Sequence, residues 1–162
     1  MFEMNIVRNE RTGRPIVQMD DARIIYRNFS GRGDKFNREG DRNFSVLIPS
    51  QEIADILIEE GFNVKIKPPR DEDDTPFIHL PVKVKFNDRG PNVQLQSGSN
   101  IVRLNEESVS CLDSVDIIGV DLDIRPFDWE VNGKTGRTAY LQGMRVYQEV
   151  DRFDSYDDFD EE

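Results

Sequence analysis

The sequence is poor in the residues that most often carry catalysis, metal binding and cross-linking. It has one cysteine, Cys111, and one histidine, His79, so it can form neither an internal disulfide nor a zinc site built from several such ligands. No apolar run approaches the roughly 20 residues of a membrane-spanning helix, and no basic segment followed by an apolar one opens the chain. We therefore expect a cytoplasmic protein with no secretory signal, no membrane association, no metal and no other cofactor.

The charge is unevenly distributed along the chain. The 162 residues carry a formal net charge of −11, which taken alone argues against nucleic-acid binding. Residues 151–162, DRFDSYDDFDEE, hold seven acids and one arginine, a net −6, so the first 150 residues carry only −5. Residues 22–45 hold six basic residues against three acids. We expect one domain over residues 1–150 and a disordered acidic tail over 151–162.

Short segments with alternating apolar residues predict a domain built mainly from β-strands. The predicted strands cover residues 22–29, 42–48, 62–67, 77–86 and 115–125. Two more flank Asn132-Gly133, the strongest short-range hairpin signal. The polar first twenty residues predict either a loosely held arm or an edge strand.

The helical signals are few. Ser50 and Gly61 are the expected cap residues of one helix, and residues 105–114 predict a second, shorter one. Residues 30–41, 68–76 and 87–100 are predicted to be loops because they are rich in glycine, proline and polar residues, with one short apolar segment, residues 93–95, in the last of them. The elements indicate an α+β or mostly-β fold, in which a small closed or partly closed barrel removes exposed sheet edges.

Basic and aromatic residues are interleaved in several parts of the chain. Alternation places Lys65 with Lys67, and Lys83 with Lys85, on the polar faces of two strands. If those strands are neighbours, four ammonium groups share one face. Single-stranded nucleic acid needs such a mixture, because cations contact phosphates and rings stack on bases at about 1–3 kcal/mol per base. The ordinary alternative is that the lysines are merely solvated and the rings belong to the core.

The candidate nucleic-acid-binding residues are therefore basic or aromatic. They are Arg27, Phe29, Arg32, Lys35, Phe36, Arg38, Arg42, Phe44, Lys65, Lys67, Lys83, Lys85, Trp129, Lys134, Arg137 and Tyr140. Phe36 is the most informative ring, because its loop offers no apolar neighbours and a core position is hard to defend.

Carboxylates offer an alternative function. Asp121 and Asp123 are two apart on a predicted strand and so share a face, as a two-metal nuclease would require of its ligands. The same pair is also explained if both aspartates lie on the solvent-exposed face of a half-buried strand. We therefore expect no catalytic residue. A third hypothesis is a protein-interaction domain whose tail mimics DNA, with acids in place of phosphates and Phe153, Tyr156 and Phe159 in place of bases.

Three segments resemble a known family. They read ARIIYRNFSGRGDKFNREGDRNFSVLIP, VKIKPPRDEDDTP and DLDIRPFDWEVNGKTGRTAYLQGMRVY. They are similar to the single-stranded DNA-binding proteins of tailed bacteriophages and prophages, over roughly residues 20–150. Residues 124–136 are the most specific part of the resemblance. The positions that match the family motif are Arg27, Phe29, Phe36, Arg42, Trp129 and Lys134.

The resemblance implies a mostly-β fold, an OB-like small antiparallel β-barrel with one or two short helices and long loops. It also implies sequence-independent binding and protection of single-stranded DNA during phage replication or recombination, in the cytoplasm of a bacterial host and without catalysis. The acidic tail is similar to those of bacterial single-stranded DNA-binding proteins. We expect it to compete with DNA for the binding groove or to recruit replication or recombination proteins. The sequence leaves the oligomeric state open.

Overall fold

The structure of the protein is a computed structural model that describes residues 1–71 and 74–150. The described chain holds ten strands, one α-helix and one 3₁₀-helix. The elements are β1 (Glu3–Arg8), β2 (Pro15–Ala22), β3 (Ile24–Asn28), β4 (Arg42–Leu47), α1 (Gln51–Glu59), β5 (Lys65–Lys67), β6 (Phe77–Val84), β7 (Asn92–Ser97), β8 (Asn100–Leu104), the 3₁₀-helix (Val109–Asp113), β9 (Ile117–Val131) and β10 (Lys134–Gln148).

All ten strands belong to one sheet. Seven of them follow the order β1-β2-β9-β10-β6-β4-β3, with β5 beside β6, β7 beside β10, and β8 beyond β7. The end strands β1 and β3 do not pair with each other, so hydrogen bonds do not close the sheet. The fold is mostly β and OB-like, as the sequence predicts. Most pairs are antiparallel, but β10 pairs in parallel with β6 and β7, which the sequence did not predict.

Alternate residues of the central strands build the core. Side chains of successive strand residues point to opposite faces of a sheet, and the apolar half of each central strand points inward. The buried strand residues include Val17, Met19, Phe44, Val46, Ile78, Leu80, Val82, Val120, Leu122, Ile124, Ala139 and Leu141. Helix α1 adds Ala54 and Leu57. The other face of the sheet remains available to solvent.

Helix α1 has the predicted ends. The Ser50 side chain accepts a hydrogen bond from the Ile53 amide at 3.3 Å, which satisfies one of the free amides of the first turn. Gly61 follows the helix with a φ of 92°, a conformation that glycine adopts without steric cost. Among the described residues, no helix is long and apolar enough to cross a membrane.

Four parts of the chain differ from the sequence-based expectation. The first twenty residues form a hairpin in which β1 lies at the sheet edge and β2 pairs with β9. Because Val17 and Met19 are fully buried, β2 is an inner strand and not a loose arm. Residues 87–100 were expected to be loop around a short segment at residues 93–95, but that segment belongs to β7, which forms a second hairpin with β8. The predicted second helix is a 3₁₀-helix of five residues, and β5 is only three residues long.

Candidate nucleic-acid interface

The solvent side of β6 defines one face of the sheet. Ile78, Leu80 and Val82 are buried, so the residues between them point the other way. Strand β5 pairs with β6, with Lys65 opposite His79 and Lys67 opposite Phe77. Strands β5 and β6 are therefore neighbours. This is the condition under which their lysines can share one face of the sheet. We call the solvent side of β9, β10, β6, β4 and β5 the outer face.

A row of four residues crosses the centre of the outer face. Tyr140 of β10 lies opposite Arg125 of β9 on one side and opposite Lys83 of β6 on the other. Lys83 in turn lies opposite Asn43 of β4. The Arg125 guanidinium is 5.0 Å from the centre of the Tyr140 ring, within the range of a cation–π contact. The row thus holds an aromatic ring between two cations.

Two further rings continue the outer face toward the tip of the β9–β10 hairpin. The Phe127 ring centre is 5.3 Å from that of Tyr140. Trp129 lies opposite Gly136, and its indole ring covers that glycine. A Cβ added at Gly136 would be 2.3 Å from an indole carbon, so only glycine leaves room for the ring to lie there. Trp129 remains 39% exposed, which makes it a platform at the surface.

A second group of rings lies at the β5 end of the outer face. Tyr26, 65% exposed, packs edge-on against Phe77 and His79, with ring centres 6.5 and 5.5 Å away. Its φ of 53° is uncommon for a residue with a side chain and occurs where pairing between β3 and β4 is interrupted. Lys65 and Lys67 border this group.

The imidazole of His79 is uncharged near neutral pH. Burial, and secondarily the nearby Lys65, lower the pKa of His79 below its ordinary value of 6.5. Its Nδ1 is 3.0 Å from the Ser45 hydroxyl. A negative group brought to this site would favour the charged imidazolium and raise that pKa again.

The loop over residues 30–41 borders the outer face. The Asn43 side chain donates a hydrogen bond to the Asn37 side chain at 2.8 Å, and Asn37 donates to three main-chain carbonyls of the loop. Phe36 is 92% exposed, with the Lys35 ammonium 6.0 Å from its ring centre. The loop therefore carries an exposed ring and a cation next to the row through Lys83.

Most of the predicted site residues lie on or beside the outer face. Five are on it: Lys65, Lys67, Lys83, Trp129 and Tyr140. Four belong to the bordering loop: Arg32, Lys35, Phe36 and Arg38. Lys85 follows the end of β6, and Lys134 follows the hairpin turn. That these residues contact DNA remains a prediction.

Two predicted stacking residues are core residues instead. Phe29 and Phe44 are 0% and 1% exposed, and their rings stack on each other with centres 5.2 Å apart. Neither can accept a base without opening the core, so the expectation for these two rings was wrong. Alternate residues of a strand point to the same face of the sheet, and Phe44 is two residues before the buried Val46. Its ring therefore points into the core.

Three predicted phosphate-binding arginines have structural partners. Arg27 donates to the carbonyls of Leu112 and Val115 at 2.8 and 2.7 Å. Arg42 donates to the Phe29 carbonyl at 3.0 Å. These contacts fasten the 3₁₀-helix region and the start of the 30–41 loop to the sheet, so their primary role is to hold the fold.

Arg137, the third of these arginines, joins the hairpin to α1. It makes a two-pronged contact with Asp128 at 2.6 and 3.1 Å and donates to the Glu60 carbonyl at 2.8 Å. The hydrogen bond from Arg137 lowers the pKa of Asp128, and the same bond raises the pKa of Arg137. Its charge is therefore already matched within the protein.

Several residues on or beside the outer face were not predicted from the sequence. They are Tyr26, Phe77, His79, Arg125 and Phe127. The signal existed for most of them, because Phe77 and His79 are in phase with Lys83, and Arg125 and Phe127 are in phase with Trp129. Tyr26 could not be found this way, because a break in the pairing of its strand turns the side chain outward.

Of the two candidate metal-binding carboxylates of β9, Asp121 is engaged in hydrogen bonds of the fold. One Asp121 oxygen accepts a hydrogen bond from the Asp21 amide at 2.9 Å, and the other from the Tyr147 hydroxyl at 2.7 Å. Burial, and then the charge of Asp20, raise the pKa of Asp123. Within residues 1–71 and 74–150, no group of three His, Cys, Asp or Glu side chains is arranged to hold a metal ion.

The fold class and the family of the chain agree. The fold is an open, mostly-β, OB-like sheet with rings and cations on its outer face. The chain belongs to the putative phage ssDNA-binding domain family, whose sequence model matches residues 8–159. No curated protein matches the chain.

Solved structures show the same fold. The chain is similar to the single-stranded DNA-binding protein from bacteriophage Enc34, with 12% identity and a TM-score of 0.54 over 95% of this chain and 99% of that one. It is likewise similar to a C-terminal truncation of that protein, with 14% identity and a TM-score of 0.53 over 84% and 87% of the two chains. At these identities the likeness establishes the fold alone.

Proposed function

We propose that the protein binds single-stranded DNA without sequence preference through the outer face of its sheet. The observation that carries the proposal is the row in which Tyr140 lies between Arg125 and Lys83. Such a row offers a ring for a base and cations for the flanking phosphates, and neither contact depends on which base is present. Membership of a phage ssDNA-binding domain family supports the same function.

The path of the strand follows from where rings and cations lie. Trp129, Tyr140, Phe36 and Tyr26 are the rings that bases can reach. Phosphates lie near Lys65, Lys67, Lys83, Lys85 and Arg125, and near Arg32, Lys35 and Arg38 of the bordering loop, while Lys134 extends the path along the hairpin. Within the described part of the chain, none of these cations forms an ion pair with a carboxylate, so DNA displaces counterions rather than protein partners.

The acidic tail acts on the same face in this proposal. Residues 151–162 lie outside the described residues, and the proposal for them rests on composition. Seven acids with three interleaved rings match the chemistry that the outer face binds. The tail competes with DNA for that face and, once DNA displaces it, becomes free to recruit replication or recombination proteins of the phage or its host. The protein thus coats and protects single strands in the host cytoplasm.

A charge reversal on the outer face tests the proposal. Lys83→Glu places a negative charge beside Tyr140 and is expected to abolish most binding to a fluorescein-labelled dT oligomer, measured by fluorescence anisotropy. Arg11→Glu is the matched control, because Arg11 is exposed in the turn between β1 and β2, and the nearby Arg14 pairs with Asp128 on the side of the hairpin away from the outer face. Equal affinities of the two variants, with both folded by circular dichroism, contradict the proposed site.

A further inference from the structure

A cavity of about 520 Å³ opens where the outer face meets the turn after β6. Lys85, Arg89 and Arg125 line it, together with Asn87, Pro91 and Gln142. Arg125 is the same residue that contacts the Tyr140 ring at 5.0 Å. The cavity therefore adjoins the row at the centre of the outer face.

Local backbone structure preforms the cavity. The Asn87 amide donates to the Gly90 carbonyl at 2.8 Å, and the Asn87 side chain accepts from the Arg89 amide at 2.8 Å, so the turn is fixed by its own hydrogen bonds. Gly90 has a φ of 127°, which residues with a side chain rarely adopt. On the facing strand, Gln142 is the extra residue of a bulge between Leu141 and Gly143. A bulge re-aims a side chain, and here Gln142 lines the cavity.

The charges of the cavity are unbalanced. Three cations line it and no carboxylate does. Asp88 belongs to the same turn but is not part of the lining. Within the described residues, Lys85, Arg89 and Arg125 have no ion-pair partner. Like charges that converge on one space repel each other, and an anion placed between them relieves that repulsion.

The cavity is large enough for a ligand bigger than a phosphate ion, and its uncharged lining residues offer further contacts to such a ligand. Its volume lies within the roughly 300–1,000 Å³ of small-molecule pockets and far exceeds what one phosphate fills. Asn87 and Gln142 bring side-chain amides, which both donate and accept hydrogen bonds as the edge of a nucleobase does. Pro91 and Leu141 add apolar wall.

We propose that this cavity binds one nucleotide extruded from the strand, with its phosphate between Lys85, Arg89 and Arg125 and its base against Asn87, Gln142 and Pro91. The inference rests on the proposed function and adds a discrete nucleotide pocket to the outer face. As a consequence, the protein also binds a free deoxynucleoside monophosphate weakly, at this pocket.

Titration of the ¹⁵N-labelled full-length protein with dTMP, thymidine and inorganic phosphate tests the proposal. We expect dTMP to shift the backbone amide signals of Arg89, Gly90 and Gln142, and thymidine to leave them unchanged. Inorganic phosphate shifts the same signals with roughly tenfold lower affinity, because it lacks the base. Arg89→Ala weakens dTMP binding roughly tenfold, whereas Arg103→Ala leaves it unchanged. Arg89 is exposed, so its removal leaves the core intact.

A dT oligomer binding measurement on the same samples separates the pocket from the proposed function. If the oligomer binds but dTMP leaves the three signals in place, the pocket is wrong and the proposed function stands. If dTMP binds at the pocket but the oligomer does not bind, the pocket is a site for free nucleotides, and both the proposed function and the extrusion of a nucleotide from a strand are wrong. Equal affinities for phosphate and dTMP would overturn the nucleotide assignment, because the base then contributes nothing.

Discussion

At the scale of single residues, the face of the strand on which a ring lies decides whether it packs in the core or is available to a ligand. Phe44 lies in phase with the buried Val46 and is 1% exposed. Tyr140 lies out of phase with the buried Ala139 and Leu141 and faces Lys83 at the surface. The two rings are chemically similar, so only their position relative to the core separates a packing role from a binding role.

Alanine substitutions should separate these roles. We expect Tyr140→Ala to weaken binding of a dT oligomer by about 1–3 kcal/mol, the usual contribution of one stacked base, with little change in the melting temperature. Phe44→Ala should instead lower the free energy of unfolding by about 3–5 kcal/mol, as large-to-small core substitutions do. Anisotropy and chemical denaturation measure the two effects. Loss of stability without loss of affinity in Tyr140→Ala would place that ring in the core.

Gly136 is expected to matter for binding because of the ring that covers it. In Gly136→Ala, the new methyl group would meet the indole ring of Trp129 at 2.3 Å, so the ring must turn away from its platform position. We expect a shifted tryptophan fluorescence maximum and weaker binding to dT. Thr135→Ala, one residue earlier at an exposed position, is the control and should change neither. Unchanged affinity in Gly136→Ala would remove Trp129 from the interface.

Binding should become tighter in mild acid through His79. In the free protein, burial and Lys65 keep the pKa of His79 below 6.5, whereas a nearby phosphate raises it in the complex. The complex therefore takes up a proton as the pH falls from the bound-state pKa toward the free-state pKa, and affinity increases over that interval. Anisotropy titrations between pH 5.5 and 7.5, on the order of one unit either side of an ordinary histidine pKa, should show this increase. His79→Gln should flatten the profile, and an unaltered profile would place the phosphates elsewhere.

At the scale of secondary-structure elements, the β9–β10 hairpin presents two of the exposed rings of the described residues. Phe127 and Trp129 lie on the side of the hairpin that belongs to the outer face, and Asp128 and Arg137 lie on the opposite side. Arg137 connects the hairpin to the end of α1 through the Glu60 carbonyl and lies 5.9 Å from the ring centre of Phe62. The orientation of the ring platform thus depends on a contact on the opposite side of the hairpin.

Two hairpin cations should therefore respond differently to substitution. Arg137→Ala is expected to lower the melting temperature, because the Glu60 carbonyl and the Asp128 carboxylate lose their partner. Lys134→Ala should leave the melting temperature unchanged and weaken DNA binding modestly, since Lys134 has no ion-pair partner within the described residues. Differential scanning calorimetry and anisotropy provide the two readings. The reverse pattern would assign Arg137 to DNA and Lys134 to the fold.

Local patterns predicted the elements whose signals lie within a few residues. Ser50 and Gly61 marked the ends of α1, and Asn132-Gly133 marked the long hairpin, because caps and turns depend on local backbone conformation. Burial of β2 depends instead on pairing with β9, about 100 residues away in sequence. The polar residues that alternate with Val17 and Met19 hid that strand from a reading of local composition.

The sequence indicated which lysines lie together on one face, but not which arginines have structural partners. The lysines of β5 and β6 were recognisable by their alternation, and the structure places Lys65, Lys67 and Lys83 on one face. Arg27 and Arg137 have the same charge but donate to main-chain carbonyls at 2.8 Å. Which arginines are free for a ligand is decided by tertiary contacts, and no sequence pattern reports those.

At the scale of the whole molecule, binding has to overcome a net charge of −11. The long-range field of such a protein repels polynucleotides, so attraction has to be local. In our proposal the outer face provides it through cations that have no carboxylate partners in the described residues. In our proposal the acidic tail covers that face when no DNA is bound, which links the charge distribution to regulation.

Changes in salt concentration and deletion of the acidic tail should show how local attraction and the negative net charge compete. The logarithm of the binding constant for dT should fall linearly with the logarithm of the salt concentration, and Lys83→Gln should reduce the slope by about 0.7. Truncation after residue 150 should raise affinity most at low salt, because added salt screens the competition from the tail. Arg11→Gln, in the exposed turn between β1 and β2, is the control for the slope. A truncated chain that still has no affinity for DNA would favour the DNA-mimic hypothesis over the binding module.

Protection of lysines by bound DNA tests the central claim most directly. The chain has six lysines, at positions 35, 65, 67, 83, 85 and 134, and they lie on the outer face, in its bordering loop, directly after β6 or at the hairpin tip. The α-amino group of Met1, paired with Asp21 at 2.5 Å, is an internal control within the same sample. Acetylation followed by mass spectrometry should show that a saturating dT oligomer protects Lys65, Lys67, Lys83 and Lys85 and leaves the α-amino group unaffected. Unchanged reactivity of those four lysines in the saturated complex would contradict binding at the outer face.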